Sequence, residues 1–124
     1  MFLTAGCIDV FHPMVSFSSC GVSLKGRYIR AADAVDWTQL QDAGYEICVL
    51  SPHTTKRKIN LLTYTPPNKV VYVLGSESTG ASESIVSLAD KILSIPMNPK
   101  VESLSVASAA SVLCYYHLWT TKYK

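Results

Sequence analysis

The chain has 124 residues, one domain's worth: enough for a single shared core and too few for two. Its 11 Lys+Arg against 9 Asp+Glu leave a formal charge of +2, with 48% hydrophobic and 16% charged residues. This balance excludes intrinsic disorder and excludes binding through a heavily basic surface, so any nucleic-acid contact must come from a local patch.

From the N-terminus, Phe2-Leu3-Thr4 reads as a short extended stub. Met1 to Val10 lacks a basic leader and is broken by Asp9, which excludes a secretory signal. After Pro13, residues Met14–Ser19 predict a helical turn or two, closed by Gly21. Asp33–Ala43 predicts a helix, because Ala34, Val35, Trp37, Leu40 and Ala43 recur at helical spacing and Gly44 supplies the stop. Tyr45–Leu50 follows as a strand, and Ser51–Lys69 is the least regular stretch. Lys69–Leu74 (KVVYVL) is the clearest strand, its near-continuous apolarity suiting a central, doubly covered position.

A loop punctuated by Gly75 and Gly80 comes next, then a helix over Ser82–Ala89 with Ser82 as its cap. Lys91–Ile95 is a short strand ended by Pro96. The last helix runs from Ser103 to about Trp119 and is apolar on most sides, as in a helix buried against two neighbours or against one neighbour and a partner subunit. Its stretch carries Glu102, serines and His117, which excludes a membrane span. Strands alternating with helices predict an α/β fold with an open, mostly parallel sheet.

Cys7, Cys20, Cys48 and Cys114 are widely spaced and form no CxxC pair. Neither a zinc site nor a disulfide framework is predicted; three of the four sit in company typical of buried free thiols. That cysteine usage points to a reducing, intracellular compartment, cytoplasmic or organellar. His12, His53 and His117 lack ligand spacing and read as structural or surface residues, so no metal is expected. Trp37 and Trp119 read as packing residues rather than stacking platforms.

Two loops after strands, Gly75–Gly80 and Ile95–Ser105, are the candidate site, since ligands of open α/β sheets bind beyond the carboxyl ends of strands. The first has the G-x-x-x-x-G spacing of a P-loop, but Ala81-Ser82 stands where Lys-Ser/Thr is needed and Glu77 would repel a polyphosphate. Spacing alone fits a tight strand-to-helix turn equally well. Ser103 is expected to cap the last helix, with a ligand-facing hydroxyl as the functional alternative, and Glu102 to be a solvated carboxylate. Lys56-Arg57-Lys58 is the one concentrated basic run and hence the candidate RNA contact, unless it is simply a solvated loop.

Taken together, two blocks resemble the SpoU/TrmH branch of the SPOUT RNA methyltransferases. Residues 71–82 (VYVLGSESTGAS) are similar to that family's second motif, an apolar strand running into G-N-E-G-x-G-[LI]-S. Residues 95–110 (IPMNPKVESLSVASAA) are similar to the third, I-P-M-x-G-x-x-E-S-L-N-V-S-x-A. Phe11-His12-Pro13 and Ser18-Ser19-Cys20-Gly21 are weaker echoes of F-x-P and A-S-A-G. Departures include Ser76 and Ser105 in place of asparagines, and Ser78 and Pro99 in place of glycines.

The resemblance implies a SPOUT-like sheet ending in a C-terminal trefoil knot, and a homodimer. It implies one domain over residues 1–124, N-terminally truncated, because the first motif (N-x-G-x-x-x-R, with its arginine) would fall before Met1. The implied cofactor is S-adenosyl-L-methionine, held by backbone groups at Leu74, Gly75, Ile95, Met97, Ser103 and Leu104. The implied reaction is methylation of a ribose 2′-hydroxyl in tRNA or rRNA, with Glu77, Ser103 and Ser105 at catalytic positions. Two other readings stay open: a non-catalytic RNA-binding or assembly protein that keeps the knot as scaffold, and a piece of a longer methyltransferase.

Overall fold

Fully buried Ile47, Cys48 and Val49 make the strand β3 (Glu46–Leu50) the centre of the main core. Side chains of a strand alternate between faces, so Ile47 and Val49 point one way and Cys48 the other. The computed structural model describes residues 1–4, 6–31, 35–52 and 58–123, in two compact units, Met1–Asp36 and Trp37–Lys124.

The first unit holds β1 (Phe2–Leu3) and β2 (Ile29–Arg30), paired in parallel with Phe2 opposite Ile29. Between them lie α1 (Pro13–Ser18) and a 3-10 turn, Val22–Lys25. Pro13 starts α1 where its missing N–H costs nothing, and His12 Nδ1 caps it by accepting the Met14 N–H at 3.2 Å. Gly21, at φ +78°, turns the chain out of the helix as expected. Arg30 holds the preceding loop by donating to the carbonyls of Cys7 (3.1 Å) and Ile8 (3.3 Å).

The second unit contains α2 (Trp37–Asp42), β3, β4 (Ile59–Asn60), a 3-10 turn at Leu61–Thr63, and β5 (Val70–Leu74). It continues with α3 (Glu83–Leu88), β6 (Lys91–Ser94) and α4 (Val106–Lys122). The four strands are parallel in the order β4-β6-β3-β5. One face packs Ile47, Val49 and Ile92 against Ile85 of α3, with Trp37 and Leu40 of α2 alongside. The other packs Cys48 and Leu93 against Leu113 and Tyr116 of α4, and against Leu61 and Tyr64. Burying such aliphatic side chains stabilises the fold by roughly 1.5–3 kcal/mol each before entropy is subtracted.

Helix α2 ends as predicted at Gly44 (φ +83°), with the Tyr45 N–H reaching back to the Leu40 carbonyl. It begins at Trp37 rather than at Asp33. Asp33 and Ala34 lie outside the described residues. Ser82 stands at the cap position of α3, but its hydroxyl pairs with Ser84 at 3.0 Å instead of capping a helix amide.

Two expectations need correction: the burial of three cysteines, and the central place of Lys69–Leu74, since β5 is an outer strand of the four and β3 an inner one. All four cysteines are free, yet only Cys48 is buried; Cys7 and Cys20 sit in exposed turns, and Cys114 lies on the outward side of α4. Of the two arrangements expected for the last helix, the one that needs a single neighbour within the chain fits: α4 buries one face and leaves Val112, Tyr115, Leu118 and Trp119 exposed. Among the described residues no helix is long and apolar enough to cross a membrane.

Candidate functional site

In a parallel sheet the carboxyl ends of neighbouring strands share one edge. Here β5 and β6 flank β3 on opposite sides, so the chain order reverses at β3 and a crevice opens between the exits of the three strands. A cleft of about 870 Å³ occupies that edge, the size of a small-molecule site. Leu50, Ser51 and Pro52 line it after β3, residues 74–81 after β5, and Ile95, Met97 and residues 103–106 after β6.

The β5 loop is held closed by its own main chain. Ser76 and Gly80 exchange backbone hydrogen bonds at 3.1 and 2.9 Å, leaving Glu77, Ser78 and Thr79 as the tip. Gly80 sits at φ +69°, and a Cβ on Gly75 would overlap the Gly80–Ala81 peptide. Both glycines are therefore needed for closure of the loop itself. Glu77 is exposed at the rim, and among the described residues its carboxylate has no partner.

On the opposite side, the cap of α4 falls on Ser105 instead of Ser103. The Ser105 hydroxyl accepts the Ser108 N–H at 3.3 Å and donates to Ser108 Oγ at 3.0 Å. The helix accordingly starts at Val106 and runs on to Lys122. Ser103, freed from capping, lines the cleft, and its hydroxyl has no partner among the described residues. Leu74, Gly75, Ile95, Met97, Ser103 and Leu104, the positions expected to hold a ligand, all border this one space, together with Glu77 and Ser105.

The basic run is only partly visible, since Lys56 and Arg57, like His53, lie outside the described residues. Lys58 borders a smaller adjoining hollow and donates to the Pro52 carbonyl at 2.7 Å. His12 and His117 have structural partners, His117 Nδ1 lying 3.0 Å from the Tyr72 hydroxyl. No group of three or more His, Cys, Asp or Glu among the described residues is placed to hold a metal ion.

A second set of polar groups lies at the other end of β3, away from the cleft. Tyr64 donates to Glu46 Oε1 at 2.6 Å and lies 3.2 Å from the Cys48 sulfur, while Tyr116 donates to the Tyr64 carbonyl at 2.7 Å. Burial pushes the Cys48 thiol up to about 12, countered in part by the Tyr64 hydrogen bond and reinforced by the Glu46 carboxylate. Burial first, and then bonding to Cys48 and Glu46, also raises Tyr64 well above its ordinary value. Cys48 and Tyr64 therefore stay protonated at neutral pH, and the set joins the sheet to α4 through the Tyr116–Tyr64 bond; a buried thiol held protonated is a poor nucleophile.

Sequence reasoning missed the Leu50–Pro52 wall of the cleft. The signal was available: Tyr45–Leu50 was legible as a strand, and the residues leaving its carboxyl end belong to the same edge as the other two loops.

The SpoU rRNA methylase family model matches residues 1–115. An uncharacterised tRNA/rRNA methyltransferase of Mycobacterium tuberculosis is 27% identical over 112 residues, covering 89% of this chain and 39% of that protein. The tRNA (guanosine(18)-2′-O)-methyltransferase of Borreliella burgdorferi is 30% identical over 104 residues, covering 84% and 46%. The crystal structure of the SpoU methyltransferase AviRb from Streptomyces viridochromogenes, in complex with AdoMet, has the same fold, with a TM-score of 0.80 at 22% identity. That match covers 94% of this chain and 47% of AviRb, so the chain spans less than half the length of each of these relatives.

Proposed function

This chain belongs to the SpoU rRNA methylase family, and from that premise we propose that it is an S-adenosyl-L-methionine-dependent RNA 2′-O-ribose methyltransferase domain acting on tRNA or rRNA. The observation that carries the reading is the convergence of both motif blocks on one cleft at the switch point of a parallel sheet. The family match over residues 1–115 runs through both compact units, which supports reading residues 1–124 as one methyltransferase domain with the family's knot.

The cleft suits the donor. Leu50, Leu74, Ile95 and Leu104 offer apolar surface to an adenine, and the loops at Gly75 and Met97 bring main-chain donors and acceptors to the same space. When bound, S-adenosylmethionine supplies the methyl group. The chain's own part is positional: the closed β5 loop and the capped start of α4 form two fixed walls. Ser103 places between them a hydroxyl with no partner among the described residues, available to orient the acceptor by hydrogen bonding. Glu77 places a carboxylate at the rim. Ser105 acts by fixing the α4 start, because its hydroxyl is already engaged. The run Lys56-Arg57-Lys58 is the proposed RNA contact.

Calorimetric titration of S-adenosylmethionine, followed by methyl transfer to tRNA and rRNA transcripts, tests this reading. Saturable binding and methylation at a ribose 2′-hydroxyl are expected, with Ser103→Ala lowering transfer about tenfold while donor affinity changes little. Absence of donor binding would overturn the reading, and binding without transfer would favour a scaffold role.

The reading also carries a homodimer, supported by the exposed Val112, Tyr115, Leu118 and Trp119 of α4 and Tyr123 just beyond it. Tyr115→Glu is expected to shift the mass seen by light scattering from two chains to one.

A further inference from the structure

We propose that Ser76 and Thr79 are positioning residues, whose paired hydroxyls hold the tip of the β5 loop in the shape that the cleft presents. The inference rests on reading the cleft as a methyl-donor site.

The backbone alone secures only the base of this loop, through the two hydrogen bonds between Ser76 and Gly80. Glu77 and Ser78, which line the cleft, have no hydrogen bond of their own among the described residues. Glycine at both ends gives the segment more conformations to lose than any other residue would. A further restraint comes from side chains. Ser76 Oγ accepts the Thr79 N–H at 3.1 Å, and the two hydroxyls lie 2.6 Å apart. This closes a second ring inside the first and spans the Glu77–Ser78 pair from both ends. Preorganisation of that kind lowers the ordering cost of binding, so its loss weakens affinity over and above any contact that Ser76 and Thr79, themselves part of the cleft lining, make to the ligand.

The effect is modest because the pair is exposed to water. A hydrogen bond worth about 0.5–1.5 kcal/mol corresponds to roughly a two- to twelvefold change in affinity. Ser76→Ala, Thr79→Val and the conservative Thr79→Ser distinguish positioning from bulk stability. Two measurements are needed: amide hydrogen exchange at Thr79 and Gly80 in the free protein, and calorimetric affinity for S-adenosylhomocysteine.

Ser76→Ala and Thr79→Val are expected to accelerate exchange at both amides several-fold and to weaken binding roughly three- to tenfold, with unchanged melting temperature. Thr79→Ser, which keeps the hydroxyl, should behave as wild type. The double variant should be no weaker than the worse single one, as for residues acting as a unit. Wild-type affinity in Ser76→Ala, while the unmutated protein binds, would overturn the positioning role alone. Failure of the unmutated protein to bind would overturn the reading of the cleft, and with it this proposal.

Discussion

The two compact units of this chain differ sharply in what they bury. Among the described residues of Met1–Asp36 the buried side chains are Leu3, Val10 and Ser23, while Ile8, Phe11, Met14, Phe17, Val22, Leu24 and Ile29 are exposed. In Trp37–Lys124 a sheet carries separate apolar clusters on both faces. Composition does not separate these regions, since both are rich in apolar residues; pairing does. A strand of two residues cannot bury its neighbours, whereas β3 sits between β5 and β6 with helices above and below. Local stability follows buried contact, so the sheet of the second unit should carry the global unfolding free energy and the first unit should open below it.

The largest effect expected from this contrast is in the core. Leu93 is fully buried between sheet and α4, so Leu93→Ala should cost about 2–5 kcal/mol in denaturant unfolding. Phe17 is 82% exposed on α1, and Phe17→Ala should change the same measurement by less than about 0.5 kcal/mol. Both tryptophans, Trp37 and Trp119, lie in the second unit, so their fluorescence follows the core whose loss matters. Equal costs for the two substitutions would break the comparison.

The same pairing decides what could be read in advance. β3, β5, β6, α3 and the body of α4 were legible because each carries its own periodicity. β2 and β4 were not, because Ile29–Arg30 and Ile59–Asn60 are strands only by virtue of partners distant in sequence. The start of α4 was misplaced because Ser103 and Ser105 are equally good caps by type, and only the fold decides which hydroxyl meets the Ser108 amide. The cleft was legible on two of its sides, where the motif blocks lie; the Leu50–Pro52 side carries no motif and had to be inferred from strand order.

A smaller effect should separate the units by pH. Folding raises Cys48 from the ordinary thiol value of 9.0 to about 12, and Tyr64 moves in the same direction. Between those limits the folded state holds protons that the unfolded chain has released, so stability falls as pH rises. The contribution is complete below about pH 9 and is lost progressively above it. Melting followed by tryptophan fluorescence should show a plateau and then an alkaline decline, shallower in Cys48→Ala. A decline of identical slope in that variant would remove Cys48 as its source.

The smallest expected effect concerns two buried hydroxyls in opposite circumstances. Tyr64 donates to Glu46 in the second unit, whereas Ser23 Oγ in the first is buried with no partner among the described residues. A buried hydroxyl that makes a hydrogen bond contributes about 0.5–1.5 kcal/mol, and one that makes none carries a desolvation penalty. Tyr64→Phe should therefore destabilise, leaving Glu46 short of a donor. Ser23→Ala should be neutral or slightly stabilising, since it removes a cost and no bond. Because the first unit is expected to open locally, the Ser23 change should appear in hydrogen exchange around Ser19 and Ser23, whose backbone N–H bonds Ser19 Oγ at 3.1 Å, before it appears in global unfolding. A destabilisation of Ser23→Ala comparable to that of Tyr64→Phe would mean that its hydroxyl has a partner in solution, and the contrast between the units would narrow accordingly.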